Sequence, residues 1–342
     1  MNLAGLTLDH PIIQAPMAGF STPALAAAVS EAGGLGSIAI GTMTPAQAAD
    51  EIARTRALTA RPFAVNLFCH RPPRRDAEIE AAWIDRLAPL FADFGATPPA
   101  ALRDIYPGFT GAGEMLDMLC DARPALVSFH FGLPDAAALD RLRGAGAVLA
   151  ASATSRAEAE AVVAAGVDLV VAQGWEAGGH RGSFDPAAGD DRLPLFDLLA
   201  ALRGLARPVV AAGGIMDAAD VRAARAAGAV AVQCGTAFLM AAEAATSPAH
   251  RAALATGQTV MTRAVSGRAA RSIVNRFTQI DGREAPDYPV AYDAGKAEPD
   301  VDIVQSGADA QVFVGGQLLA TLKDTNAGEV AYQLQSTSAS AA

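Results

Sequence analysis

Residues 173–182 read Gln-Gly-Trp-Glu-Ala-Gly-Gly-His-Arg-Gly and put four glycines, a carboxylate, an indole, an imidazole and a guanidinium into ten positions. A stretch so rich in glycine lets backbone come close to a flat ligand. An imidazole titrates near neutrality in its ordinary state, so His180 is the first candidate for acid–base chemistry. Glu176 suits a helix cap or an orienting contact better than the role of main base. Two further loops, Gly213-Gly214-Ile215 and Gly235-Thr236, expose backbone N–H groups ahead of predicted helices, whose N-termini favour anions. Together they have the form of a phosphate cradle, although ordinary tight turns between strand and helix use the same glycines. His130 follows an apolar run and either faces a ligand or satisfies a carbonyl inside the fold. Asn66 and Gln173 offer donors and acceptors to a mixed polar edge. Pro16 and Met17 offer a rigid turn and a polarizable side chain for a ring face, with core packing as the other reading of Met17. His10, His70 and His250 show no partner pattern and read as surface or local structure.

These residues need elements to hold them. Eight short apolar runs, at 12–17, 36–40, 63–68, 126–131, 147–152, 169–173, 209–212 and 230–234, have the unbroken hydrophobicity of strands buried on both faces. Ala-rich segments of helical period lie between them, at 23–32, 45–56, 135–143, 156–165 and 218–227. Thr22-Pro23 and Thr44-Pro45 are N-cap and first-turn signals, and Ala32-Gly33, Ala165-Gly166 and Ala227-Gly228 are left-handed C-caps. Such alternation predicts an α/β protein of the TIM (β/α)₈ barrel type rather than an open doubly wound sheet. The chemistry-bearing residues then gather at one mouth, beyond the strand ends. Gly33-Gly-Leu-Gly36 follows a helix and precedes a strand, the wrong context for a dinucleotide fingerprint. An insertion at about 69–121, with an amphipathic segment near 79–94, interrupts the rhythm after the third strand. The barrel is expected over 1–245 and an extension over 246–334, a lid or second lobe adding to the substrate pocket, with a strand-turn-strand pattern in 306–323. The small polar end, 335–342, is expected to fray.

The bulk properties narrow the class. The 342 residues are 51% hydrophobic and carry a formal net charge of −10, with no basic run beyond Arg71-Pro-Pro-Arg74-Arg75. That balance argues against nucleic acid as a partner. Three well-separated cysteines, Cys69, Cys120 and Cys234, suggest neither a disulfide framework nor a zinc site and fit a cytoplasmic protein. No apolar run reaches membrane-spanning length and no signal peptide is evident. HExxH, Walker A and GxSxG motifs are missing, which weakens zinc-hydrolase, nucleotide-triphosphatase and serine-hydrolase readings.

At seven places, in order along the first 240 or so residues, the chain resembles the nitronate monooxygenase (2-nitropropane dioxygenase) family. They are Gln14-Ala-Pro-Met-Ala-Gly19, Ala32-Gly-Gly-Leu-Gly36, Val65-Asn66-Leu67, Val127-Ser-Phe-His-Phe-Gly132, Ala172 to Gly182, Ala212-Gly-Gly-Ile215 and Gln233-Cys-Gly-Thr236. The 173–182 block is the specific one; the barrel glycines are shared by other FMN and phosphate barrels. The resemblance implies non-covalent FMN, with its phosphate at Gly214, Gly235 and Thr236 and its ring near Pro16, Met17, Asn66, Gln173 and Gly178. Ala15, Gly179, Gly213 and Gln233 complete the expected cofactor-binding residues. The 127–132 stretch is similar to the class I branch, in which the histidine matching His180 is the acid–base residue. By the same likeness Tyr288, Tyr292 and Lys296, with Tyr106 and His130, line the substrate pocket. The implied reaction is oxidation of an alkyl nitronate, such as propionate-3-nitronate, by dioxygen to a carbonyl compound and nitrite. An FMN-dependent NAD(P)H reductase of enoyl thioesters or quinones, a non-catalytic flavin or phosphate binder, and a phosphate-sugar isomerase remain as alternatives on the same scaffold.

Overall fold

The computed structural model describes residues 1–93 and 96–296, together with the strand pairing of 301–306, 309–314 and 317–322. Eight strands form one parallel sheet: β1 (Ile12–Gln14), β2 (Gly36–Ala39), β3 (Phe63–Phe68), β4 (Leu126–His130), β5 (Val148–Ala153), β6 (Leu169–Gln173), β7 (Val209–Ala212) and β8 (Ala231–Cys234). Their order is β1-β8-β7-β6-β5-β4-β3-β2. The remaining seam, β2 to β1, is a single parallel bridge, Ile13 to Leu35, with Leu35 N–H donating to the Ile12 carbonyl at 2.9 Å and Gln14 N–H to the Leu35 carbonyl at 2.9 Å. The fully buried Gln14 side chain strengthens that seam. Its Oε1 accepts from Ser37 N–H at 2.8 Å and its Nε2 donates to Ser21 Oγ at 2.9 Å. The ring is thereby a TIM barrel.

Alternation along each strand divides the core in two. Ile13, Ala64, Leu126, Ala150, Leu169, Val171, Val210 and Ala231 pack inside the ring, where Leu3 and Leu8 from the N-terminal segment join them. Ile38, Val65, Val127, Leu149, Val170, Ala211 and Val232 point outward to meet the helices. Those helices are α1 (Pro23–Glu31), α2 (Pro45–Leu58), α3 (Ala77–Asp93), α4 (Glu114–Ala122), α5 (Ala136–Gly144), α6 (Arg156–Ala164), α7 (Leu195–Ala201), α8 (Ala218–Ala226), α9 (Thr236–Leu239), α10 (Pro248–Leu254) and α11 (Val290–Lys296). Thr22 and Thr44 cap α1 and α2 as their spacing predicts, and Gly33, Gly166 and Gly228 take positive φ just beyond α1, α6 and α8.

A separate hydrophobic core joins the insertion to the C-terminal segment. Trp83, Leu87 and Phe91 of α3 and Leu102 meet Ala264, Phe277, Ala285 and Val290, Ala291 and Ala294 of α11. Asp293, only 5% exposed, accepts from Arg103 N–H at 2.9 Å and pairs with the Arg103 guanidinium at 3.0 Å. The two interruptions of the β/α rhythm therefore build one structure, and α11 brings Tyr292 and Lys296 with it. The segments 301–306, 309–314 and 317–322 form an antiparallel meander. The last two fall in the strand-turn-strand stretch; the expected frayed end, 335–342, lies outside the described residues. Among the described residues no helix is long and apolar enough to cross a membrane.

Trp83 is 1% exposed at the centre of this second core. Trp83→Ala is expected to cost about 3–5 kcal/mol locally. Hydrogen exchange in α11 should accelerate while the barrel strands stay protected. Unchanged exchange in α11 would show that the second core does not hold that helix.

Candidate active site

The loop after β6 folds back on its own strand. Gln173 Nε2 donates to the His180 carbonyl at 3.0 Å, and Gln173 Oε1 accepts from Gly182 N–H at 2.7 Å. Arg181, 2% exposed, donates to the Gln173 carbonyl at 2.6 Å and grips Asp190 through Nε and Nη2 at 2.6 and 3.0 Å. The Gln173 amide, expected at a ligand edge, thus spends one donor and its oxygen on shaping the loop. Glu176 behaves as its chemistry suggested: it accepts from Leu195 N–H at 2.9 Å, at the start of α7, where Pro194 supplies no side-chain cap.

The middle of this loop approaches the β7 and β8 loops with no space to spare. A Cβ on Gly213 would lie 2.9 Å from the Ala177 nitrogen, one on Gly214 3.2 Å from Glu176 Cβ, and one on Gly178 3.1 Å from Thr236 Oγ1. Gly213 and Gly214 also have φ of 113° and 69°, which L side chains resist. Ala15 Cβ and Met17 Sδ lie 3.5 and 3.6 Å from where a Gly235 Cβ would stand, with Pro16 between them in the chain.

One part of the cradle expectation is corrected. The N-terminus of α8 is already occupied. Asp217 accepts from Ala219 and Asp220 N–H, and Asp220 accepts from Met216 and Asp217 N–H. Two carboxylates there repel an incoming anion and take the amides it would use. What the cradle keeps is the Gly213 and Gly214 N–H groups, which donate to no described protein acceptor, and α9, which has no side-chain cap at Gly235. Asn66 and Gln233 sit on the barrel's inner face. Asn66 Nδ2 donates to Ser128 Oγ at 2.9 Å, and Gln233 lines the interior with Ile13, Ser37 and Ser128. Gly179 pairs with Arg271 at the outer edge of the loop.

The other end of the loop carries His180 into an aromatic enclosure. Its backbone pairs with Ala270, and its Nε2 lies 2.8 Å from Ser266 Oγ. Around its ring stand Tyr288 at 5.3 Å, Phe131 at 5.8 Å and Tyr292 at 6.1 Å, centroid to centroid. Tyr106 lies 6.2 Å from Tyr292, and the exposed Lys296 ammonium sits 4.8 Å over Tyr106 at the rim. His130 reaches Ser152 Oγ with Nδ1 at 2.8 Å and the His180 carbonyl with Nε2 at 3.4 Å. A carbonyl only accepts, so His130 carries its proton on Nε2. All six residues expected at the reacting end are therefore neighbours.

Four contributors were not legible beforehand. Ser266 and Arg268 come from a stretch without a motif. Phe131 holds a positive φ of 72°, a strained conformation for a bulky side chain, pinned between His130 at 4.4 Å and the Arg268 guanidinium at 4.1 Å. His70 corrects the surface reading. It is 3% exposed, donates from Nε2 to the Tyr106 carbonyl at 3.0 Å and packs edge-on to Tyr288 at 4.9 Å. His10 is exposed, and His250 packs against Phe20 at 5.0 Å.

Burial and charge move both imidazoles away from their ordinary near-neutral range. Desolvation, then the Arg268 charge, then His70 push the His180 pKa down to about 4. Desolvation, Arg268 and His180 push His130 down to about 3. Burial raises the phenols of Tyr288 and Tyr292. At neutral pH the pocket is walled by two neutral imidazoles and two neutral phenols, hydrogen-bonding groups without charge.

The family model for nitronate monooxygenase matches residues 2–334. The chain belongs to that family. It is a family of flavin-containing oxidoreductases. Similar members include the nitronate monooxygenases of Paraburkholderia phytofirmans, 51% identical over 96% of this chain and 92% of that one, and of Pseudomonas aeruginosa, 48% identical over 95% of each. Among solved structures, the family fold is matched by nitroalkane oxidase from Streptomyces ansochromogenes, with a TM-score of 0.76 and 42% identity over 85% of this chain and 84% of that one. FabK from Thermotoga maritima is further away, with a TM-score of 0.61 and 30% identity over 80% of this chain and 73% of that one.

The depressed imidazoles have a consequence for stability. The folded protein refuses protons that the unfolded chain accepts near pH 6.5. Their contribution is thus complete above about pH 6.5 and is lost as pH falls through the window towards about 4. Urea unfolding should give a lower free energy at pH 5 than at pH 7. His130→Gln and His180→Asn should each remove about 1–2 kcal/mol of that difference. A pH dependence unaltered in both variants would mean that neither imidazole is desolvated.

Proposed function

We propose that this protein oxidises anionic alkyl nitronates, with bound FMN and dioxygen, to carbonyl compounds and nitrite. The observation that carries this reading is the loop 173–182, whose glycines meet the β7 and β8 loops at one end while its His180 enters the aromatic enclosure at the other. A flavin phosphate and a small reacting anion need two such adjoining places.

The residues fit the cofactor. Gly178, Gly213 and Gly214 leave room only for backbone, and free N–H groups and the uncapped α9 suit a phosphate where a side chain would obstruct it. Gly213, Gly214, Gly235 and Thr236 would hold the phosphate. Ala15, Pro16, Met17, Asn66, Gln173, Gly178, Gly179 and Gln233 would border the ring. Bound FMN would supply the electron-accepting chemistry.

The chain's own part is placement and electrostatics. His180, neutral and anchored through Nε2 to Ser266, keeps Nδ1 for the substrate. An arriving anion raises the pKa of a nearby imidazole, so proton affinity at His180 rises when a nitronate is present. His130, whose Nε2–H goes to the His180 carbonyl, would position His180 beside the nitro group. The phenols of Tyr288 and Tyr292 can donate to a carboxylate, as in propionate-3-nitronate, with the Lys296 charge near Tyr106 at the entrance. The hydrophobic faces of Phe131 and Tyr288 keep bulk water from the reacting atoms.

His180→Asn should lower oxygen consumption with propionate-3-nitronate by on the order of 100-fold while leaving flavin content unchanged. Normal turnover at every pH would remove His180 from the reaction. Anaerobic bleaching of the flavin by NADH, with nitronate inert, would transfer the protein to the reductases. Separately, Gly178→Val should release cofactor on gel filtration, because its side chain meets Thr236. Full flavin retention in that variant would move the phosphate site elsewhere.

A further inference from the structure

Arg268 is 3% exposed and makes no ion pair among the described residues. Its guanidinium donates to the carbonyls of Arg181 and Ser183 and lies 4.1 Å from the Phe131 ring centroid. The other buried arginine, Arg181, is neutralised by Asp190 at 2.6 Å. The acids whose charges Arg268 feels are committed elsewhere. Glu158 accepts from Thr154 and Phe184 N–H, and the Asp185 carboxylate faces Arg71 at 3.4 Å. A charge so enclosed is expensive unless something compensates it, and two carbonyls and a ring do so only in part. Phe131 connects it to the reacting end, at 4.4 Å from His130, 5.4 Å from Tyr288 and 5.8 Å from His180. His70, His130, His180 and Tyr288 all feel its charge.

We propose that Arg268 is a specificity-determining residue: its fixed and only partly compensated positive charge behind Phe131 makes this pocket select anions, nitronates over the neutral nitroalkanes of the same shape. It acts through space and through Phe131, and holds no proton that the substrate exchanges. This rests on the nitronate reading of the site and names what distinguishes the ionised substrate from its neutral parent. Lys296 is exposed at the rim, so its field is screened by salt; Arg268 lies where salt does not reach.

The test is equilibrium binding, which needs no turnover. Nitrite, a small anion, and nitroethane, kept un-ionised, are titrated calorimetrically into the flavin-loaded wild type, Arg268→Gln and Arg268→Lys. Glutamine keeps an N–H donor for the carbonyls and removes the charge. Nitrite affinity should fall on the order of tenfold in Arg268→Gln, nitroethane affinity should change by less than about twofold, and Arg268→Lys should recover most of the nitrite loss. Equal weakening of both ligands, or unchanged nitrite affinity, overturns the proposal. If Arg268→Gln does not fold, the wild type decides: nitrite affinity should shift by less than about threefold across a tenfold rise in ionic strength, and a steeper loss assigns the attraction to surface charge. A protein that discriminates through Arg268 yet leaves nitronates unoxidised would retire the proposed activity and leave this inference standing.

Discussion

Gln173 ends a barrel strand and then holds the loop that follows it. One amide binds the His180 carbonyl and the Gly182 N–H, and Arg181 closes the same loop onto Gln173 and Asp190. Most of the site depends on that fold-back. It turns one ten-residue segment into two surfaces, a glycine surface against the β7 and β8 loops and a histidine against the tyrosine wall. A linear strand-to-helix connection would leave them far apart. The barrel makes this possible because its strand ends are fixed by ladders and by the Gln14 seam, so the loop can be shaped by its own side chains.

The second constraint is the partnership of the two interruptions. The insertion after β3 and the C-terminal segment share a core around Trp83, and the 259–273 ladder runs from there to pair with Gly179 and His180 in the loop after β6. Ser266 positions His180, the His180 backbone pairs with Ala270, and Tyr288 and Tyr292 stand across from it. The enclosure is thereby shared: the barrel contributes His180 and His130, and the added lobe contributes Ser266, Tyr288 and Tyr292. The aromatic enclosure desolvates the imidazoles, and Arg268 adds charge to the same effect.

Much of this was written in the order of the residues. The eight strands fall where unbroken apolar runs fall, since a strand buried on both faces has no other composition. The helix caps follow from Thr-Pro and Ala-Gly pairs, which act over three or four residues. His180 and His130 could be nominated because they stand beyond strand ends, whereas Tyr106, Tyr288, Tyr292 and Lys296 follow only from the family resemblance. Glu176 could be given its capping role from type and position.

What stayed hidden depended on partners far along the chain. The capping of α8 by two carboxylates, which occupies its N-terminal amides and leaves those of Gly213 and Gly214, is a matter of which amides remain free. His70 looked isolated, and its contacts with Tyr106 and Tyr288 join residues that only folding brings together. Ser266 and Arg268 lie 86 and 87 positions from the residues they bind. Nor does a histidine's spacing state its pKa: burial among residues distant in the chain and the Arg268 charge push His180 down to about 4. The sequence by itself determined the barrel, the loop that matters and the residue types able to do chemistry, because strand burial, turn geometry and capping are short-range. The tertiary structure alone decided charge state, free donors and the composition of the pocket wall, because desolvation and Coulomb interactions are properties of what packs together.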